Sequence, residues 1–273
     1  MTYVVGLIIG SVLGLTGAGG SVFAVPLLMV LLNMNAQQAM GISLGAVAIS
    51  ALFGVMTKLR SRQIQWLPAV TFLTIGSFCS PLGSWLNRQT NETVLLVGFS
   101  VLVVIVAIKL WRQADAHPEQ TRVVRSSHSA VVENKAAVCM MNEGKPFQVG
   151  PRCIIGIGLS AVTTGILSGL FGVGGGFMIV PTLMFLTNIT MQQAVATSLV
   201  VISAISGSGF VSYLLLGDPL ATAALVQVAL GGIIGMMVGS FTSQYIAGPL
   251  LQKTFSILML LVAVVTTVSI LLK

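Results

Sequence analysis

Charge is what this 273-residue sequence has least of: 7% of its side chains are Asp, Glu, Lys or Arg, against roughly 25% in a soluble domain. Thirteen Lys and Arg and six Asp and Glu cannot clothe a globule of this size, because a surface facing water needs polar side chains. The few charges are also bunched, and the stretches 1–57, 153–217, 219–252 and 254–272 hold none. Hydrophobic residues make up 55% of the chain and the mean hydropathy is +1.00. Lipid, not water, is therefore the solvent for most of this surface. A soluble enzyme, a nucleic-acid binder and a disordered tail are all excluded.

Histidine and cysteine are scarce as well. His117 and His128 both lie in the charged central stretch, and Cys79, Cys139 and Cys153 are odd in number with no metal-like spacing. No metal, no cofactor and no disulfide framework is expected, and Cys79, in an apolar run, reads as a small packing residue. The formal charge of +7 does not reverse the exclusion of nucleic acid. Seven of the thirteen cations fall between Lys109 and Arg152, and three more are Lys58, Arg60 and Arg62. Cations gather in this way on cytoplasmic loops, and no aromatics interleave with them as they would on a nucleic-acid surface. Met1, Thr2 and Tyr3 supply no positive region of the kind that opens a secretory signal, so the first apolar segment is expected to stay in the membrane.

A spanning helix needs about 20 apolar residues. The first half offers 3–32, 36–57, 66–86 and 93–111, and the second offers 154–187, 191–216, 221–246 and 254–272. The chain accordingly divides into a first transmembrane repeat (1–111), a polar cytoplasmic linker (112–151) and a second repeat (152–273). The opening segment of each half is overlong and broken by glycines, and the two breaks align at an offset of 155 residues. From Gly14 to Leu44, 16 of 31 positions match their partners, among them Gly17/Gly172, Gly19/Gly174, Gly20/Gly175, Pro26/Pro181, Asn33/Asn188, Gln37/Gln192 and Ser43/Ser198. Apolar composition produces scattered Leu and Val matches, not aligned Gly, Pro, Asn and Gln. The pattern is an internal duplication. The fold class expected is an all-α polytopic membrane protein of two homologous halves, each opening with a Gly-interrupted helix, broken or re-entrant. Glycines four apart, at Gly6, Gly10 and Gly14 and at Gly231, Gly235 and Gly239, read as stripes along which helix backbones approach closely in lipid.

Apart from Lys109 at the end of 93–111, these spans contain no Asp, Glu, Lys, Arg or His. Intramembrane ionisable groups mark proton relays, ion sites and proteolytic centres, so an intramembrane enzyme and a carboxylate-driven pump lose their candidates. The glycine runs are not nucleotide loops: Gly20 stands where a phosphate-binding loop has lysine, and no strand pattern precedes either run. What remains is backbone chemistry. Gly17, Gly19 and Gly20, like Gly172, Gly174, Gly175 and Gly176, accept positive φ and let a helix unwind. Unwound backbone at membrane depth is tolerated only inside protein or at a cavity. A helix restarting there presents free amides and the positive end of its dipole, which hold an anion without side-chain charge. The structural alternative is a tight bend. The hydroxyls of Ser43, Thr197 and Ser198 can donate to an oxyanion or bond back to their own helix. Gln37, Gln38, Gln192 and Gln193 are helix-end residues or donors at a pore mouth.

A duplicated Gly-x-Gly-Gly-[Gly/Ser] run followed by proline, then a helix carrying Thr-Ser-Leu or Ile-Ser-Leu, resembles the TauE/SafE sulfite exporter family. The matching residues are Gly17-Ala-Gly-Gly-Ser21 with Pro26 and Ile42-Ser43-Leu44, and Gly172-Val-Gly-Gly-Gly176 with Pro181 and Thr197-Ser198-Leu199. The resemblance spans both halves. It implies a multi-pass permease of the bacterial inner membrane exporting small anions, sulfite or organosulfonates such as sulfoacetate, with a homodimer as a further expectation. A membrane scaffold or assembly factor without transport is the alternative. The substrate site implied runs over Gly17, Gly19, Gly20, Ser21, Ser43, Gly172, Gly174, Gly175, Gly176, Thr197 and Ser198. Ser21 in place of a third glycine, and Gly41-Ile42 where Ala-Thr is usual, set the first copy apart from the second. Cations on the 58–62 loop and none near its counterpart around Asp218 favour halves inverted in the membrane.

Overall fold

A computed structural model describes residues 1–17, 20–32, 34–59, 64–116, 151–186, 189, 191–215, 221–242, 256–257, 259–261 and 263–264. Gly19, most of the linker, the turn holding Asp218 and most of the last apolar segment lie outside the described residues. Every element among the described residues is an α-helix. In chain order these are α1 (Thr2–Thr16), α2 (Gly20–Leu32), α3 (Ala36–Leu59), α4 (Trp66–Gln89), α5 (Glu92–Ala116), α6 (Pro151–Phe171), α7 (Gly176–Leu186), α8 (Met191–Leu215) and α9 (Thr222–Thr242).

Among the described residues, four stretches are long and apolar enough to cross a membrane: Gln37–Leu59, Trp66–Gln89, Gln193–Leu215 and Thr222–Thr242. Their outward faces are greasy, with Phe78 and Leu215 each 82% exposed, which suits contact with hydrocarbon. Hydroxyls on such faces find partners in their own helix, as polar groups in lipid must. Thr74 Oγ1 donates to the Val70 carbonyl (2.9 Å), Thr163 Oγ1 to Leu159 (3.1 Å) and Thr242 Oγ1 to Val238 (2.8 Å). The chain is an integral membrane protein.

Glycine decides which helices meet. α1 lies along α9, and α6 lies along α4. A Cβ at Gly10 would fall on the Gly232 carbonyl, and one at Gly14 would stand 3.0 Å from the Gly239 carbonyl carbon. In the second seam a Cβ at Gly165 would stand 2.6 Å from the Gly76 oxygen, and one at Gly169 would stand 3.0 Å from Gly83 Cα. Backbones this close exclude any side chain between them. The opening helix of each half is thus fastened to a helix of the other half. Thr2 Oγ1 and Gln227 Oε1 add a polar clasp at the start of the α1–α9 seam.

The same contacts give helix direction. Along the α1–α9 seam residue numbers rise together (Gly6 beside Val228, Gly10 beside Gly232, Gly14 beside Met236), so these helices are parallel. α3 is parallel to α9, with Gly45 beside Leu225 and Gly54 beside Met236. Against α8, however, α3 is antiparallel: Gly41 meets Tyr213, Gly45 meets Phe210 and Gly54 meets Leu199. α4 runs parallel to both α6 and α8. Since α1 and α3 point the same way, α2 carries the chain back toward the side where α1 began. Gly20, at the start of α2, indeed rests on Ile9 and Leu13 of α1.

Replacing Gly10 or Gly169 by Leu would pry the seams apart and is expected to destabilise the folded protein by at least about 2 kcal/mol. Gly207, in the interior of α8, has nothing within 4 Å of where a Cβ would sit. Gly207→Ala should be neutral or stabilising by up to about 1 kcal/mol. Thermal unfolding in detergent reads all three; equal losses would show that close packing does not distinguish these glycines.

Candidate functional site

Both glycine runs stop a helix in the same way. At the end of α1, Gly17 adopts φ 70° and its amide donates to the Leu13 carbonyl at 2.7 Å. After α6, Gly172 adopts φ 67° and donates to the Ser168 carbonyl at 2.9 Å. A left-handed residue that returns its amide to the last turn is a common helix terminator, and glycine takes it without a Cβ clash. Gly174 (φ 72°) and Gly175 (φ 63°) stay left-handed until α7 restarts at Gly176.

Each break is seated against the other half. Gly17 packs on Val195, and Gly172 packs on Met40, where a Cβ would stand 2.8 Å from Met40 Cα. Val195 lies one turn into α8 and Met40 one turn into α3. Because α3 and α8 are antiparallel, these two seats are at opposite ends of the bundle, roughly 25–30 Å apart at 1.5 Å per residue. Gly17 and Gly172 therefore do not share one site. The inner glycines do converge. Gly174 meets Ser206 and Val47, both near the middle of their helices, while Gly20 rests on Ile9, level with the Gly10–Gly232 contact that abuts Ser50. Val47 and Ser50 are a turn apart on α3, so α2 and α7 begin at nearly the same depth, and the two helices touch.

The hydroxyls divide the same way. Thr197 Oγ1 accepts the Gln65 backbone amide at 3.0 Å, and Ser198 Oγ donates to the carbonyls of Gly17 (3.0 Å) and Val195 (2.8 Å). Ser198 is thus occupied in holding the first break in place, and Thr197 in holding the residue that caps α4. Ser43, the counterpart of Ser198, is fully buried and its Oγ has no partner. It falls between Met40 and Val47 on one stripe of α3, the stripe that faces Gly172 and Gly174. Ser21 is buried at the start of α2.

Two further residues belong to this region that sequence reasoning passed over. Ser168 and Ser206 are fully buried with unpartnered Oγ atoms. The Ser206 hydroxyl lies against Gly174, and a Cβ on Gly175 would stand 3.2 Å from Ser168 Cβ. A signal for both was present: at the 155-residue offset they oppose Leu13 and Ala51, so one copy is polar where the other is apolar. Above Met40 a small crevice of about 20 Å³, room for one water, is lined by Gln37, Asn87, Arg88 and Tyr213 among others. Asn87 Nδ2 donates to the Leu170 carbonyl at 2.5 Å and reaches Met40 Sδ at 3.0 Å, tying the ends of α4 and α6 to the seat of the second break. No group of three or more metal-ligating side chains occurs among the described residues.

Helices broken within apolar segments and facing buried hydroxyls are an arrangement that membrane transport proteins use. The family profile described as Sulfite exporter TauE/SafE matches residues 2–266, and the chain belongs to that family. It is 28% identical over 245 residues to the "Probable membrane transporter protein YunE" of Bacillus subtilis (strain 168), covering 86% of each chain. A "Probable membrane transporter protein" of Xylella fastidiosa (strain Temecula1) is 28% identical over 264 residues, covering 95% of this chain and 91% of that one. The "Probable membrane transporter protein MJ0441" of Methanocaldococcus jannaschii is 26% identical over 217 residues, covering 77% of this chain and 70% of that one. No solved structure matches significantly.

At Gly172 an L-residue would carry about 1–2 kcal/mol of left-handed backbone strain besides its clash with Met40. Gly172→Ala should therefore lower the unfolding midpoint in detergent, and adding Met40→Ala should restore at most the part owed to Met40 Cγ, because alanine keeps the Cα and Cβ that the new methyl meets. Full recovery in the double variant would mean that the positive φ costs nothing.

Proposed function

We propose that the protein exports small oxyanions across the bacterial inner membrane, sulfite or organosulfonates such as sulfoacetate, through a chargeless site at the two glycine breaks. The observation that carries this reading is Ser43: a fully buried hydroxyl with no partner, on the face of α3 turned to the second break. A protein that satisfies its lipid-facing threonines within their own helices, yet leaves an inner hydroxyl open, keeps that hydroxyl for a guest. Gly17, Gly19, Gly20 and Ser21 from one half and Gly172, Gly174, Gly175 and Gly176 from the other supply the backbone, with amides of the first turns of α2 and α7 left over by helix geometry. Ser43 is a direct donor. Ser198 acts on the anion path by fixing the first break, and Thr197 by holding the residue that caps α4.

In this reading the halves are inverted repeats, each a re-entrant helix pair followed by three spans. Support comes from the aligned sequences, from the antiparallel course of α3 and α8, and from packing that keeps its pattern when the halves are exchanged: α1 on α9 as α6 on α4, α3 on α9 as α8 on α4, α2 on α3 as α7 on α8. It also puts the end of α3, with Lys58, on the same side as the start of α6, where the central linker joins. That side is cytoplasmic by the positive-inside rule. Transport then proceeds by one half shifting against the other, opening the Gly172–Met40 seat on one side or the Gly17–Val195 seat on the other. The partners are the anion and the bilayer, with a homodimer as the assembly.

Flux in proteoliposomes offered sulfite, sulfoacetate, thiosulfate and chloride tests the reading. Sulfite or sulfoacetate should move fastest, and Ser43→Ala should lower that rate about tenfold, the cost of one hydrogen bond to a charged group. Absence of flux for every anion from correctly folded protein would leave the scaffold reading instead.

A further inference from the structure

The two breaks are alike in backbone and unlike in lining. Gly20 rests on Ile9 and Leu13 of α1, and Gly175 rests in the same manner on Thr164 and Ser168 of α6. The offset of 155 residues pairs Ile9 with Thr164, Leu13 with Ser168 and Ala51 with Ser206. Around the first break the equivalent positions are thus wholly apolar. Around the second they carry hydroxyls, and two of these, on Ser168 and Ser206, have no partner and no exposure. Thr164 Oγ1 is different, since it bonds back to the Ser160 and Ala161 carbonyls (2.8 and 3.1 Å).

Together with Ser43, these are the buried serine hydroxyls without partners among the described residues; Ser168 and Ser206 lie against the Gly172–Gly176 loop, and Ser43 is on the stripe of α3 that faces it. A helical serine always has the carbonyl three or four residues earlier within reach, and Ser50, Ser160 and Ser203 use theirs. Ser43, Ser168 and Ser206 do not. Leaving one buried hydroxyl unbonded costs about 1–3 kcal/mol. Three such costs gathered at one loop, beside the amides that begin α7, are accounted for by a ligand that accepts from all of them.

We infer that the hydroxyl donors to the oxyanion all come from the side of the second break: Ser43 of α3, Ser168 of α6 and Ser206 of α8. The first break then offers backbone amides alone and no hydroxyl. This rests on the transport reading above and sharpens its substrate class. Donors on three different helices suit a centre bearing three oxygens, as sulfite and sulfonates do, and fit a bare halide poorly.

The experiment is binding of sulfur-35 sulfite to the purified full-length protein in detergent under anaerobic conditions, with methanesulfonate and chloride as competitors. Ser168→Ala and Ser206→Ala should each weaken sulfite binding about tenfold or more. Because each removes an unpartnered hydroxyl, the unfolding midpoint without ligand should stay level or rise, while the stabilisation added by sulfite disappears. Ser50→Ala, whose hydroxyl already serves Ala46, should leave binding unchanged. Methanesulfonate should compete and chloride should not. Sulfite binding kept within twofold in both serine variants would overturn this inference alone, showing that the hydroxyls hold at most an ordered water. Failure of the unsubstituted protein to bind any anion would bring down the transport reading with it.

Discussion

Contact between bare backbones holds this protein together. In hydrocarbon, apolar side chains gain nothing by leaving lipid for one another, so helices associate where they come close enough for dense packing. The seams through Gly10 and Gly232, and through Gly76 and Gly165, are such places. Both join the opening helix of one half to a helix of the other. Each glycine break is consequently seated on the opposite half, Gly17 on Val195 and Gly172 on Met40. A relative movement of the halves has to pass through these seats.

The second constraint is the accounting of polar groups where water is absent. Threonines on the lipid side, such as Thr74 and Thr163, settle their hydroxyls on their own helices. Ser208 and Ser80 cross to a neighbouring helix, donating to the carbonyls of Ser77 and Ile205. The buried open hydroxyls of Ser43, Ser168 and Ser206 contrast with these. In the function proposed above they would serve a site without any charged residue, where an anion held by amides and hydroxyls can be released again.

How much of this was legible beforehand depended on how local each signal was. Membrane residence follows from charge content, which needs no geometry. The family could be recognised because Gly17 to Ser21 and Gly172 to Gly176 are short, ordered runs with a fixed distance to Pro26 and Pro181. Ser43 could be singled out because it repeats as Ser198. Ser168 and Ser206 were passed over for the opposite reason: they mark places where the copies disagree, and a search for matching positions does not select them. Nor could sequence tell that Ser198 is occupied by the Gly17 carbonyl while Ser43 is not. That difference arises between helices far apart in the chain.

The residues in their order thus determined a helical membrane chain with two similar glycine-rich interruptions, because hydropathy, charge placement and glycine spacing act within a segment or are visible by comparing segments. Tertiary structure alone decided that Gly17 and Gly172 sit at opposite ends of the bundle, that Gly20 and Gly174 meet near its middle, and that the second interruption is the one with open hydroxyls. The physical reason is that depth, helix direction and the partner of a hydroxyl are set by which backbones approach each other, and that is fixed only when all the helices have packed.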